Sequence, residues 1–309
     1  MKNVSLLDSI YLSLKIDVFL QLFAFLIRNF KTTKNWFDIL LLRVGLKKQS
    51  NAIFRNNKIL KNVTLENFSV YRNIQETFLR NFNSNNGKFE IIYHSRKIIL
   101  KGDEAPFQLS EIFLDESYSK LNPNGKTVVD VGANIGDSAI YFAVRGARHV
   151  YAFEPFEYVL NTARNNIRLN KLEKNITLIQ AAVGEKEGSI TLNPEDHSSG
   201  GSDLKPSNCG VPIDVLTLEN IVDKFKIQNG ILKVDCEGSE YGILLPAKEE
   251  TLRKFDEIFL EYHYGYSNLV QKLKNSGFTI QKIGPPRSTY NRNATNPHMI
   301  VGLIYAKRI

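Results

Sequence analysis

The chain of 309 residues is 43% hydrophobic and 23% charged, which excludes a disordered or collagen-like protein and is enough for one sizeable core plus an appended segment. Its 40 Lys+Arg against 32 Asp+Glu leave a net charge of +8, gathered at the front: residues 1–100 hold 16 basic and 6 acidic side chains, residues 101–309 hold 24 and 26. The two cysteines, Cys209 and Cys236, exclude a disulfide framework and a four-cysteine zinc site.

The longest apolar run, residues 18–27, falls short of the ~20 residues a membrane span needs. No small-residue cleavage site follows it, so the cytoplasm is the expected compartment. Apolar residues at Leu7, Ile10, Leu14, Val18, Leu22 and Phe25 predict an amphipathic helix over residues 5–30. Such a helix packs on the protein, joins two copies, or lies on a membrane surface with help from Lys15, Arg28, Lys31 and Lys34. A second helix is expected over 35–46, while the Asn-rich stretch 47–86 resists assignment. Residues 89–94 and 97–102 read as a hairpin around Ser95-Arg96.

From Lys126 short β-branched runs alternate with helical segments, the pattern of a parallel sheet. Strands are expected at 127–131, 149–153, 176–181, 230–235, 257–262, 279–283 and 299–306, and helices at 137–145, 157–169, 239–255 and 267–276. No helix separates the last two strands, so the sheet is expected to end in an antiparallel pair. Residues 184–212 interrupt the alternation with a strand and a Gly/Ser-rich loop that suits either a lid or a surface insertion.

The strand TVVDV runs through Gly132-Ala133-Asn134-Ile135-Gly136 into a helix, where backbone N–H groups can converge on an anionic group. Glu154, followed by Pro155 at the end of the next strand, stands where a carboxylate accepts hydrogen bonds from ribose hydroxyls. The spacing is G-x-x-x-G with Asp130 before it, not the dinucleotide fingerprint. A carboxylate there suits an ammonium, so S-adenosylmethionine fits better than NAD.

Asp235 and Glu237 end one central strand, Glu261 and His263 the next. Residues two apart share a strand face, so both pairs are candidates to point into one cleft. They are the candidate catalytic residues, with His263 the base best matched by its ordinary pKa. A divalent metal on the same four residues is the less favoured alternative. Cys236, between two carboxylates, reads as packing; Tyr262, Tyr264, Tyr266 and Tyr290 suit either stacking on a substrate or the core.

The segments VVDVGANIGDSAIYFAVRGARHVYAFEP, AAVGEKEGSITL and KVDCEGSEYGIL resemble the FkbM-type methyltransferases, a branch of the class I S-adenosylmethionine-dependent methyltransferases. The resemblance covers roughly residues 88–306. It implies an α/β, Rossmann-like seven-stranded sheet with an antiparallel last strand. It also implies that Asp130, Gly132, Asn134 and Gly136 hold the methionine part, Glu154 the ribose, and Ala181 and Ala182 the adenine. The expected organisation is a basic, partly helical extension (1–87) and a methyltransferase domain (88–309), with a hairpin and helix over 88–125 leading into its core.

The expected reaction is O-methylation of a hydroxyl on a glycan, a lipid-linked saccharide or a small natural product. Alternatives are an RNA methyltransferase guided by the basic front and a non-catalytic cofactor-binding module. Nucleic acid is not favoured, because residues 1–100 carry no RNA-binding signature and their basic side chains are scattered. Asp130, Glu154 and Asp235 together weigh against a non-catalytic role.

Overall fold

The computed structural model describes residues 23–57, 59–65, 68, 71–72, 74–75, 77, 83–85, 87–193, 210–290 and 298–308. The chain divides into two compact units, residues 1–89 and 90–309. In the first, residues 23–32 are helical; the part of the predicted helix before residue 23 lies outside the described residues. Trp36–Arg43 forms the next helix and buries Ile39 and Leu42. The unassigned Asn-rich stretch contains an antiparallel hairpin, Ser50–Ile53 with Ile59–Val63. Ile39, Leu42, Ala52, Phe54, Val63 and Tyr71 make a small core. No helix among the described residues is long and apolar enough to cross a membrane.

The second unit opens with the strands Lys88–Tyr93 and Arg96–Lys101. His94 (φ +44) and Ser95 (φ +62) both take left-handed conformations between them, the two-residue turn whose twist matches a hairpin. Its main sheet contains β1 (Thr127–Val131), β2 (His149–Phe153), β3 (Ile176–Ile179), β4 (Gly230–Val234), β5 (Phe255–Tyr262), β6 (Phe278–Ile283) and β7 (His298–Arg308). Their spatial order is β6-β7-β5-β4-β1-β2-β3. β7 is antiparallel to both β5 and β6, while β5, β4, β1, β2 and β3 pair in parallel. This is a seven-stranded Rossmann-like sheet in which β7 alone runs antiparallel to its neighbours. β1 and β4 are buried at every position, as strands covered on both faces must be, and therefore read as unbroken runs rather than alternating ones.

Helices Asp137–Val144 and Glu157–Leu169 follow β1 and β2. Asn166, buried in the second of them, donates to Lys101 O at 3.1 Å and Ile135 O at 2.9 Å and accepts from Lys101 N at 2.8 Å. One amide thus ties the turn after β1 to the opening hairpin. The helix predicted over 239–255 is instead two short ones, Glu240–Leu244 and Glu249–Leu252. Pro246 stands between them; it has no N–H for the helix ladder and disfavours helical geometry in the residue before it.

Between β3 and β4, Ala182–Val183, Gly188–Leu192 and Val211–Leu216 form a separate three-stranded sheet. The predicted strand 176–181 accordingly stops at Ile179. The helix Leu218–Phe225, missed in the sequence, starts from a reciprocal Thr217–Asn220 cap. Residues 194–209, most of the stretch that suits either a lid or a surface insertion, lie outside the described residues, Cys209 among them. Arg287–Tyr290 adds a short antiparallel strand against β7 from within the Pro- and Asn-rich connection.

Candidate functional site

The carboxyl ends of β1, β2, β4 and β5 meet in one region because adjacent parallel strands are in register there: Asp130 faces Lys233 and Ala152, and Val234 faces Leu260. The turn after β1 is held by left-handed Gly132 (φ +77), Asn134 (φ +45) and Gly136 (φ +84). At Gly132 a Cβ would lie 1.9 Å from the carbonyl oxygen of Asp235, so glycine is required where two strand ends converge.

Asp130 and the N–H groups of this turn are engaged within the protein itself. Asp130 is fully buried, with Lys233 Nζ 3.1 Å from Oδ1 and Ser138 Oγ donating to Oδ2 at 2.7 Å. Its charge is met inside the protein by Lys233 and Ser138. Burial raises the Asp130 pKa, opposed by Lys233 and Ser138. Burial opposes the Lys233 charge in turn, but Asp130, then Asp235 and Asp137, outweigh it and hold the ammonium above the usual lysine range.

The turn's N–H groups are likewise engaged. Gly132 N and Ala133 N both donate to Phe153 O at 3.0 Å, Gly136 N donates to Ala133 O at 2.8 Å, and Asn134 N donates to Glu154. Lys233, which also donates to Gly132 O at 2.7 Å, was missed in the sequence. Its signal is there: a lysine in the middle of the otherwise apolar GILKV.

Glu154 is 7% exposed, deeper than a free strand end suggests. One carboxylate oxygen accepts from Asn134 N and the other from Phe156 N, both at 3.1 Å. Burial lifts its pKa to about 7 against those two bonds. Each oxygen keeps a further acceptor position, which suits a vicinal diol. Asn134 also donates through its side chain to Glu104 at 3.3 Å. Pro155 is half-buried, and Ala181 and Ala182 are each 2% exposed.

The second carboxylate group collects as expected, though not by simple alternation. β4 ends at Val234, and Glu237 (φ +54) and Gly238 (φ +114) turn the chain back on itself. That turn, not a shared strand face, brings Glu237 Oε2 to 3.2 Å from His263 Nε2. Asp235, Glu261 and His263 each present a ligand-type atom, all within 4.8 Å of one another. Glu237 stands outside that triad and bonds to its histidine.

His263 lies between two carboxylates. It is 3% exposed, with fully buried Glu240 on its other side accepting from His263 N at 2.7 Å and lying 3.0 Å from Nδ1. Burial disfavours the imidazolium, yet the bonds to Glu237 and Glu240 outweigh it and raise its pKa to about 11. A histidine so held favours its charged, hydrogen-bond-donating form. Glu261 belongs to the same group. Burial first, then repulsion from Asp235, raises it to about 8, with His263 pulling the other way.

Glu111, outside the predicted site and exposed to solvent, lies close enough to Asp235 to feel its charge. Partial desolvation and then the Asp235 charge raise its pKa. Cys236 is partly buried, and desolvation followed by Glu240 and Asp235 raises its thiol well above the usual range, consistent with packing. Tyr262 is fully buried with its ring 5.4 Å from that of Tyr266, and so belongs to the core.

Residues 130–280 match the family model described as the methyltransferase FkbM domain. Among curated proteins, the AMB antimetabolite synthetase AmbE of Pseudomonas aeruginosa is 25% identical over 203 residues, 52% of this chain and 10% of that protein. Ribosomal protein L11 methyltransferase of Aquifex aeolicus is 28% identical over 143 residues, 46% of this chain and 48% of that one. The chain thus spans less than half the length of these relatives. Two solved structures are similar at low levels. Trm5b from Pyrococcus abyssi has 13% identity and a TM-score of 0.40, covering 73% of this chain and 57% of that one. Magnesium protoporphyrin IX methyltransferase (ChlM) from Synechocystis has 15% identity and a TM-score of 0.35, covering 67% and 82%. The family match runs from the end of β1 to the middle of β6, so residues 130–280 are similar to the FkbM methyltransferase domain.

Proposed function

We propose that the protein is an S-adenosylmethionine-dependent O-methyltransferase acting on a hydroxyl of a glycan, a lipid-linked saccharide or a small natural product. One observation carries this reading: Asp235, Glu237, Glu261 and His263 gather at the ends of β4 and β5, while the Glu154 carboxylate at the end of β2 keeps acceptor positions to spare. The donor set fits the cofactor. Glu154 would hold the ribose diol, and the cationic methionine portion would be matched by Asp235. When bound, the cofactor supplies a methyl group on a positively charged sulfur.

The acceptor hydroxyl must lose its proton as the new bond forms. Glu261 takes it: a carboxyl raised to about 8 has the proton affinity that the task needs near neutral pH, and a cation arriving beside it lowers that pKa and frees the carboxylate. His263, already protonated, keeps Glu237 in place by donating to it. No metal is needed for these roles.

Titration calorimetry with S-adenosylmethionine and S-adenosylhomocysteine, NAD as control ligand and Glu154→Gln as control protein, tests the cofactor half. Binding of both sulfur ligands, weakened about tenfold or more in the variant, is expected; binding of NAD alone would overturn it. A screen of hydroxylated acceptors with Glu261→Gln alongside tests the base. Turnover is expected to fall while cofactor affinity stays, and unchanged turnover would move the base elsewhere.

A further inference from the structure

The first unit turns an unusual amount of apolar surface to solvent. Ile27, Phe30, Phe37, Val44 and Leu46 are 41%, 58%, 56%, 52% and 77% exposed. These side chains are not scattered singly. Phe30 and Trp36 meet edge to face with ring centroids 6.2 Å apart, and Trp36 and Phe37 do the same at 5.8 Å. Ile27 and Phe30 are three apart in the helical segment 23–32, on one side of it. Val44 follows Phe37 by seven residues and continues the same side of the helix Trp36–Arg43. The result is a continuous aromatic and aliphatic face of the kind that marks an interaction surface.

Its border is cationic. The Arg55 guanidinium lies 5.4 Å over the Phe30 ring and donates to Phe30 O at 2.7 Å, which fixes a positive charge against the patch. Lys31 and Lys34 are exposed next to Phe30 in sequence. Residues 23–57 hold seven basic side chains and one acidic, Asp38, which is paired with Lys47 at 2.7 Å.

The chemistry discriminates among occupants. A second copy of this face would set like charges against each other. A nucleic acid would use the rings and the cations but has no place for Ile27, Val44 and Leu46. The interface of an anionic bilayer uses all three: aliphatic groups enter the acyl boundary, Trp and Phe sit at headgroup level, and Lys and Arg face the headgroup charge. We propose that this face of the N-terminal unit docks on an anionic lipid surface, lying on the bilayer without crossing it.

Trp36 is the only tryptophan in the chain, so its emission reports on the patch. The full-length protein would be titrated with vesicles of phosphatidylcholine, or of equal parts phosphatidylcholine and phosphatidylglycerol, while vesicle co-sedimentation is followed. A blue shift and co-sedimentation with the anionic vesicles are expected. Binding to the neutral vesicles should be weaker by about tenfold or more, and salt should release the protein. Phe30→Ser/Phe37→Ser and, separately, Lys31→Glu/Lys34→Glu should each lose binding. The second pair changes only exposed lysines, so it decides the matter if the first fails to fold. Variants that bind as well as the parent, or no binding to anionic vesicles, would overturn the proposal. So would a blue shift produced only by concentrating the protein or only by adding homopolymer RNA, results that would assign the face to a second copy or to nucleic acid.

Discussion

Lys233→Met is the sharpest test of how the site is built. Lys233 is 2% exposed and answers the charge of fully buried Asp130 at 3.1 Å, while donating to Gly132 O at 2.7 Å. Methionine keeps most of the apolar stem but removes the ammonium. Asp130 is then a buried carboxylate with only Ser138 as partner, and breaking one side of a buried pair costs about 3–5 kcal/mol. The second unit spans residues 90–309; for a domain of that size each kcal/mol moves Tm by about 2–4 °C, so a fall of about 6–20 °C is expected.

Thermal unfolding followed by circular dichroism measures that fall. Asp130→Asn/Lys233→Met should recover about half of the loss, because the uncompensated charge is gone. The sign of the pH effect follows from Asp130. Its folded pKa is already raised by burial, and losing Lys233 raises it further. The deficit should therefore shrink as falling pH protonates the carboxyl and grow as rising pH ionises it. A deficit below about 1 kcal/mol, one indifferent to pH, or a double variant worse than the single would refute the reasoning.

Gly132→Ala places a Cβ 1.9 Å from Asp235 O at φ +77; a loss of more than about 3 kcal/mol in urea unfolding is expected, and a loss under about 1 kcal/mol would show that the strand ends yield easily. His263, raised from its usual value to about 11, contributes stability that is fully present below about 6.5 and lost as pH rises through about 11. Its imidazole NMR shifts should remain those of the charged form at pH 9 and titrate earlier in Glu240→Gln, whereas a midpoint near the ordinary value in the parent would contradict the clamp. Glu154 is raised to about 7, Asp137 and Glu261 to about 8. Raised carboxyls add stability below their unfolded pKa values and lose it as pH climbs through the folded ones, so the unliganded protein should be more stable near pH 5 than near pH 8, and denaturant midpoints rising over that interval would count against it.

Much of this protein is legible locally. β1, β2 and the helix Glu157–Leu169 have the bounds their patterns predict, because an apolar β-branched run or a three-and-four spacing contains its own reason for burial. The antiparallel end of the sheet follows from a missing helix between two strands, a fact of chain length. The break at Pro246 was equally local and should have been read, since proline carries its disruption with it. Glu154, Asp235, Glu237, Glu261 and His263 stand out as candidates in the sequence because polar residues at strand ends have little structural reason to be there.

The charge state of those residues is not local. Asp130 reads as a ligand group in the sequence; in the fold Lys233, more than a hundred positions on, lies beside it. His263 reads as a base in the sequence; in the fold Glu237 and Glu240 close on its two nitrogens. Glu111 carries no motif and feels the charge of Asp235 only through the fold. The sequence by itself determined the strand and helix periods, the glycine turn and the family blocks, since each depends on neighbours along the chain. Only the tertiary structure decided which carboxylates are paired, which are crowded and which imidazole is locked, because Coulomb interactions and desolvation act through space.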